Sequence, residues 1–472
     1  MAEKGFSISV CNRSANKVDE CVKRAQSELG EKKGNLKGYK TPEDFVSSLA
    51  KPRKIMFLVK AGAPVDECID LFLKLLEPGD VLIDGGNEWY ENSIRRAKKT
   101  KEKSVMYLAM GVSGGEEGAR NGPSLMPGGP REAFDLIKPI IDKVAAQTDS
   151  GPCTTYIGGD GSGNYVKMLH NGIEYGDMQL IGEAYTVLKT VGGLSNDELA
   201  KVFADWNKGE LDSFLIEITS LILAKKDVDQ THAETGAKLA ANENRSLVDM
   251  ILDRTGNKGT GKMTVKEAAD RSVAVGTMAA ALDARFIAAD KDARQEMAPL
   301  LDGPTQMPVV DKEQLIDDVR NALYCSKICS YAQGMNTIRA ASEEFNWGVN
   351  LGECARIWKG GCIIRAKFLD RIKRAYDKDA HLVNLMVDPD FKDEMAAKQK
   401  SWRRVVSLCA AAGLPIPSMY ASLAYFDQYR RETLISAQLV QAQRDFFGSH
   451  TFERTDQPRG QMYHCKWTPA HY

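Results

Sequence analysis

The sequence predicts an α/β domain, then a large all-α domain, then a polar tail. Three observations carry this. Short apolar runs alternate with helical periodicity over the first 160 residues. From Gly163 to about residue 440 helical periodicity dominates and strand signals are few. From Gly448 the chain turns polar, rich in Arg, His, Pro and aromatics, and it cannot build a core of its own.

The elements follow in order. FSISV (6–10) reads as a strand and 15–29 as a helix. TPEDFVSSLA (41–50) opens on a Thr cap with Pro42 at the first helical position, so it is a short helix. KIMFLV (54–59), VLID (81–84), SVMYLAM (104–110) and TTYIG (154–158) are strands, with helices expected at 63–76, 89–102 and 131–147. Such alternation makes a parallel sheet covered on both faces. Further on, 197–218 and 352–372 each carry a Trp, a Lys close behind it and an apolar helical run, which suggests a duplicated helical unit. Residues 226–257 read as a polar surface excursion with a short helix near 245–252.

A chain of 472 residues is long enough for two or three domains and a large core. The formal net charge of −1, without a long basic run, argues against nucleic acid as a partner. No run of 18 apolar residues exists, so no membrane span is expected. Ten scattered cysteines without a CxxC pair read as reduced thiols in a cytoplasmic setting. Six histidines without HExxH or clustered spacing make a metal site unexpected. The first residues, MAEKGFSISVCNRS, lack the apolar core of a signal peptide.

Chemistry concentrates in a few stretches. ISVCNRS (8–14) ends a strand on Asn12, Arg13 and Ser14. In a Rossmann-like fold an acid at that position takes a ribose 2′-hydroxyl, whereas a neutral residue followed by Arg suits a 2′-phosphate. The GxGxxG loop that should precede this strand is absent. MAEKG reads as the last turn of its helix, Gly30, Gly34 and Gly38 come too late, and GGDGSG (158–163) follows the last strand. Either the chain is N-terminally truncated, leaving a Rossmann-like domain with its first strand and Gly-rich loop missing, or it lacks the usual phosphate site.

LIDGGNEWY (82–90) and GVSGGEEGARNGPSLMPGG (111–129) follow strands, where ligands of open α/β sheets bind. Ser113, Gly114 and Gly115 offer a hydroxyl and bare N–H groups for an anion, although plain turns would share this composition. NYVKMLHNGIEYGD (164–177) is a helix with Lys167, His170, Asn171, Glu174 and Tyr175 on one face. Solvation explains many polar faces, but His, Asn and Tyr are poor choices for an exposed one. Gly163, Gly172 and Gly176 suggest that something approaches this helix closely. NKGTGKMT (257–264) and QRDFFGSH (443–450) add basic groups that matter if they converge on a small anion.

Together these stretches resemble the 6-phosphogluconate dehydrogenase family. The matching runs are VKAG (59–62), IDGGN (83–87), GVSGGEEGAR (111–120), GPSLMPGG (122–129), VKMLHNGIEYGDMQLI (166–181), DWNKGELDSFLIEIT (205–219), KGTGK (258–262), WKGGCIIRA (358–366) and QAQRDFFGSHTFE (441–453). The resemblance implies a metal-independent oxidative decarboxylation of 6-phosphogluconate with NADP, in the pentose phosphate pathway, giving ribulose 5-phosphate. Lys167 matches the general base and Glu174 the acid that protonates C1 of the enediol. Asn87, Ser113, Gly114, Gly115, His170 and Asn171 match positions that hold the sugar acid. Tyr175, Lys258, Thr260, Arg285, Arg444 and His450 match the phosphate end and neighbouring hydroxyls. Asn12, Arg13 and Ser14 match the 2′-phosphate site of NADP; Val59, Lys60 and Asn87 match residues near the cofactor.

The resemblance also implies a homodimer in which the tail reaches the partner subunit and brings Arg444 and His450 to its site. The parts are then an incomplete dinucleotide-binding domain (1–161), an all-helical substrate and dimerisation domain (162–435) and the exchanged tail (436–472). The stretch 226–257 is longer than the family pattern. Two other readings stand beside this one: a sugar-phosphate-binding or dimer-partner short form without catalysis, and a related β-hydroxyacid dehydrogenase acting on a smaller acid. With the pyrophosphate loop missing, the chain is expected to bind substrate but to hold NADP weakly.

Overall fold

The computed structural model describes residues 1–29, 35–256 and 259–467, so Gly30, Gly34 and Lys258 lie outside the described residues. It divides into two compact units, Met1–Ser422 and Leu423–Tyr472.

MAEKG is a single 3₁₀ turn, closed by Gly5 in the left-handed conformation. Then come β1 (Ile8–Cys11), α1 (Ala15–Leu29), β2 (Leu36–Tyr39), α2 (Pro42–Ser47), β3 (Lys54–Phe57) and α3 (Ala63–Phe72). The alternation continues with β4 (Val81–Asp84), α4 (Tyr90–Lys101), β5 (Met106–Ser113), α5 (Gly115–Asn121), β6 (Ser124–Gly128) and α6 (Arg131–Val144). β1 and β2 form one parallel pair, and β3-β4-β5-β6 form a separate sheet in that order. The side-chain period of two sorts this sheet into two cores. Ile55, Phe57, Leu82 and Tyr107 pack with α3 on one face. Val81, Ile83, Leu108 and Met110 pack with α6 on the other.

The α/β domain differs from expectation in four ways. β6 runs antiparallel, with Ser113 opposite Ser124 and Ala109 opposite Gly128, so the sheet is mixed. SLMPG was hidden by its proline and glycine, which this edge position tolerates. TTYIG is not a strand; it makes isolated parallel bridges, Leu125 with Thr154 and Gly128 with Gly158. Leu125 and Gly129 donate across to Cys153 and Gly158, but Pro127 between them has no N–H to continue the ladder. GEEGAR is the helix α5 rather than a loop. β2, the stretch LKGY, is largely exposed and lacks the apolar signal of a strand.

The helical part runs α7 (Ser162–Thr190), α8 (Asn196–Trp206), α9 (Phe214–Ala224), α10 (Thr260–Asp270), α11 (Gly276–Ala289), α12 (Lys291–Met297), α13 (Lys312–Glu344), α14 (Leu351–Ile357), α15 (Leu369–Lys378), α16 (Pro389–Ala411) and α17 (Pro417–Tyr429). The duplicated pattern has a structural counterpart. α7–α8–α9 and α13–α14–α15 each set a long helix before two shorter ones. Ser195 caps α8 with a full capping box, and Asn350 caps α14. The segments before α9 and α15 meet in an antiparallel bridge between Ser213 and Ala366. Within 226–257 a 3₁₀ helix occupies Leu247–Met250, inside the expected span.

The second unit holds α18 (Ile435–Gly448) and a short hairpin pairing Phe452–Glu453 with Met462–Tyr463. Its centre is Asp445, whose carboxylate accepts from the Thr451 and Cys465 amides, His464 Nδ1 and Trp467 Nε1 at 2.8–3.1 Å. Burial pushes this carboxyl up, but the donors outweigh it and hold it at about 2. A tail without a hydrophobic core thus orders itself around one buried charge.

Candidate active site

Glycines seat α7 on the sheet. A Cβ on Gly163 would stand 2.0 Å from the Ala109 carbonyl oxygen and 2.2 Å from that of Met126, so the first turn lies directly on β5 and β6. One turn on, a Cβ at Gly111 of β5 would meet Lys167 Cβ at 2.4 Å. Lys167 is thereby delivered to the carboxyl-terminal half of β5. The close approach expected at Gly172 and Gly176 is made by neighbouring helices. Thr264 of α10 and Ser330 of α13 occupy the space that Cβ atoms would need there.

Lys167 is 5% exposed and donates to Asn171 Oδ1 at 2.7 Å. The same oxygen lies 3.1 Å from His170 Nδ1, and His170 Nε2 lies 3.2 Å from Ser113 Oγ. One tautomer satisfies both contacts: Nδ1–H donates to Asn171 and Nε2 accepts the serine hydroxyl. Burial lowers the Lys167 pKa to about 8, with Glu174 pulling the other way. Burial, and then the neighbouring Lys167, keep His170 neutral. An amine that loses its proton near neutrality, held by a neutral hydrogen-bonded chain, can act as a general base. Glu174, two turns along the same face, is half-buried.

The wall behind these groups comes from residues 358–368. Trp358 is fully buried and meets the His170 ring edge-on at 5.6 Å. Gly114, with φ of 121°, leaves room for the Gly361 carbonyl, which a Cβ would approach to 2.5 Å. Gly361 also accepts the Ser124 amide at 2.8 Å. Ser113 is buried and Gly115 exposed, so the expected anion-binding loop has one face in the core and one open.

Asn87 is exposed on the loop after β4. That loop is held by a buried ionic cluster which the sequence reading missed. Arg96 of α4 is 0% exposed. It donates to Glu88 at 2.5 Å, to Asp66 at 2.8 Å and to the Gly62 carbonyl at 2.9 Å. Glu88 in turn accepts the Gly62 amide at 2.7 Å, tying the loop after β3 to the loop after β4. Removing one partner of such a cluster leaves buried charge uncompensated. Arg96→Met is therefore expected to destabilise the fold by about 3–5 kcal/mol, read as a lowered urea midpoint. An unchanged midpoint would show that the cluster does not hold these loops.

Tyr175 is buried, with the Arg285 guanidinium 3.6 Å from its ring centre. Gly261 packs against the same ring, and Thr260 starts α10 beside it in the buried layer. Tyr175, Thr260 and Arg285 thus gather around the far end of the Lys167 face. Arg444 and His450 fall in the second unit, where Arg444 bonds Gln441 at 2.9 Å and His450 meets the Phe447 ring. At the carboxyl ends of the parallel strands, Asn12, Arg13 and Ser14 follow β1, and Val59 and Lys60 follow β3, all exposed. Asn12 Oδ1 accepts the Ser14 amide at 2.9 Å and shapes that turn. Leu58, 70% exposed, and Val59, 38% exposed, give this edge apolar surface. Cationic, hydroxyl and apolar groups at these strand ends are the types that a phosphorylated dinucleotide needs.

Two family models cover the chain: the NAD binding domain of 6-phosphogluconate dehydrogenase matches residues 1–158, and the 6-phosphogluconate dehydrogenase C-terminal domain matches 163–467. The chain is 58% identical over 477 residues to chloroplastic 6-phosphogluconate dehydrogenase, decarboxylating 1, of Arabidopsis thaliana, covering 99% of this chain and 94% of that protein. It is 51% identical over 465 residues to the NADP(+)-dependent decarboxylating 6-phosphogluconate dehydrogenase of Bacillus subtilis, covering 98% and 94%. The solved 6-phosphogluconate dehydrogenase of Plasmodium falciparum, described as apo and in complex with its cofactor NADP+ or its substrate 6-phosphogluconate, superimposes with a TM-score of 0.91. Its identity is 50%, over 99% of this chain and 96% of that one. The chain belongs to the 6-phosphogluconate dehydrogenase family.

Proposed function

We propose that the site carries out the NADP-dependent oxidative decarboxylation of 6-phosphogluconate to ribulose 5-phosphate and CO₂, with Lys167 as general base and Glu174 as general acid. The observation that carries this is the buried Lys167, bonded to Asn171 beside His170 and Ser113, on a helix seated against β5. Bound NADP supplies the hydride acceptor; Asn12, Arg13 and Ser14 would take its 2′-phosphate, and Val59, Lys60 and Asn87 would line its path. Neutral Lys167 takes the proton of the substrate 3-hydroxyl as that carbon is oxidised. Its ammonium then polarises the new ketone while the carboxylate leaves as CO₂. Glu174 returns a proton to C1 of the enediol. Ser113, Gly114, Gly115, His170 and Asn171 hold the sugar acid, and Tyr175, Lys258, Thr260 and Arg285 its phosphate end.

The test is to follow NADPH, CO₂ and ribulose 5-phosphate together, expected in equal amounts. Binding of 6-phosphogluconate without turnover would favour a sugar-phosphate-binding protein. Turnover of smaller hydroxyacids alone would favour a related dehydrogenase. Because the base acts when neutral, kcat/KM is expected to rise with pH and level off above about 8. A flat profile from pH ~6 to ~9 would contradict Lys167 as the titrating base.

Homodimerisation with tail exchange is part of the same reading. Ile435, Leu439 and Phe447 on α18 are 79%, 61% and 73% exposed, a large apolar area for one helix. A partner subunit would cover them and receive Arg444 and His450. Arg444→Ala is then expected to raise KM about 10–100-fold, as loss of a charge-assisted phosphate contact does. Mixing Arg444→Ala with Lys167→Ala subunits is expected to restore turnover, since one site of each hybrid is intact. Failure of hybrids to regain activity would place Arg444 in its own subunit's site.

Among the described residues no helix is long and apolar enough to cross a membrane. Ten free thiols, six of them buried, support a reducing compartment such as the cytoplasm; intermolecular disulfides in protein isolated under thiol-blocking conditions would argue against it.

A further inference from the structure

A second buried charge pair lies one turn beyond Glu174. Asp177 of α7 and Lys327 of α13 are 1% and 2% exposed, with Lys327 Nζ 2.6 Å from Asp177 Oδ2. Tyr331, one turn along α13, places its hydroxyl 3.5 Å from the same oxygen and donates to the Ile364 carbonyl at 3.1 Å. Its ring meets Phe368 edge-on at 4.7 Å, and Lys327 Nζ lies 5.9 Å from the Phe368 ring centre. Both contacts fall on the 358–368 segment that walls in Lys167. That segment also holds Cys362, fully buried and donating to the Trp358 carbonyl at 3.0 Å.

We propose that the Asp177–Lys327 pair, with Tyr331, is a positioning element for the base: it ties α7 to α13 and pins the 358–368 wall that keeps water from Lys167. The pair is electrically neutral as a unit, so it locks the helices without adding net charge beside the base. The titratable groups facing Lys167 are Glu174 and His170 from its own helix and Cys362 from the wall. Burial pushes the Cys362 thiol up to about 12, although Lys167 opposes this, so the wall presents a neutral thiol. Asp177 faces Lys327 and Tyr331, and burial raises its carboxyl against the pull of Lys327. Burial is the largest cause of the lowered Lys167 pKa, ahead of the charges of Glu174 and Cys362, so the wall acts chiefly by excluding solvent and what holds the wall controls the base.

The proposal rests on Lys167 being the base, and its test has a readout independent of turnover. The rate of Lys167 acetylation by acetic anhydride, measured against pH by peptide mass spectrometry, gives its titration midpoint directly. Tyr331→Phe removes only the hydroxyl that holds the wall. Its midpoint is expected to rise by about 0.5–1 pH unit as water reaches the amine, with kcat at pH ~7 falling about 3- to 10-fold and KM within about twofold. The double variant Asp177→Asn with Lys327→Met replaces the ion pair by neutral groups and is expected to move the midpoint the same way. If it does not fold, Tyr331→Phe decides alone. An unchanged midpoint in the folded Tyr331→Phe protein overturns the proposal. A shifted midpoint in a chain without turnover upholds the positioning role while sinking the reaction assigned above.

Discussion

Replacing Lys167 with alanine is expected to lower kcat by about 10³-fold or more while leaving 6-phosphogluconate affinity within a few-fold of wild type. The asymmetry follows from the site. Lys167 contributes a hydrogen bond to Asn171 and a 3.5 Å contact to His170 Nδ1, whereas most of the groups assigned to the sugar acid and phosphate lie elsewhere, on β5 and its following loop, α7, α10, α11 and the tail. Apart from the tail, those elements are held by backbone packing at Gly163, Gly172 and Gly176, which the substitution leaves alone. What vanishes is an amine that burial brings down to about 8. Lys167→Arg discriminates further, since a guanidinium keeps its proton at any working pH and is expected to be as inactive as alanine. Calorimetric titration with 6-phosphogluconate and single-turnover NADPH formation separate the two quantities. Turnover within tenfold of wild type in the alanine variant would remove Lys167 from the role of base.

The polar stripe that carries Lys167 was legible because it rests on spacing; the role assigned to the lysine came only with the family resemblance. Lys167, His170, Asn171 and Glu174 declare a shared face at helical period, and residue types ill-suited to an exposed face set the stripe apart. The strands β1, β3, β4 and β5 were legible for a similar reason, as apolar runs between turn residues. β6 was not, because Pro127 and Gly128 argue against a strand wherever the edge position is unknown. The wall at Trp358 and Cys362 was also out of reach: almost 200 residues separate it from the helix it covers, and nothing local marks that contact. Asp177 and Lys327 are 150 residues apart in sequence yet in contact in space. Each interrupts an apolar helical run, and that is a weak sign of a buried pair, but which cation meets which anion depends on the crossing of α7 and α13. The Arg96 cluster left a similar trace, acids at Asp84 and Glu88 around the end of a fully buried strand. Their shared partner lies on the following helix.

Gly163→Ala is expected to be the most damaging single-methyl change in the helical part. The added Cβ would stand 2.0 Å and 2.2 Å from two carbonyl oxygens and 2.7 Å from the Gly128 amide nitrogen, all of them backbone atoms of β5 and β6. No rotamer change relieves a clash between backbones, so α7 must lift from the sheet. Overpacking of this kind is expected to destabilise by about 3 kcal/mol or more. The lift also displaces Lys167 from the end of β5, and a misplacement of about 1 Å is expected to lower kcat by about 100-fold even in molecules that remain folded. Gly182→Ala on the same helix is the control. A Cβ there meets nothing within 4 Å, so the change is expected to stabilise the protein by about 0.5–1 kcal/mol through helix propensity and leave kcat unaltered. Urea unfolding and steady-state kinetics on the two variants give the comparison. If they behave alike, the seating of α7 on the sheet is not what places the base. If Gly163→Ala loses stability without losing kcat, the helix holds Lys167 through its contacts with α10 and α13 instead.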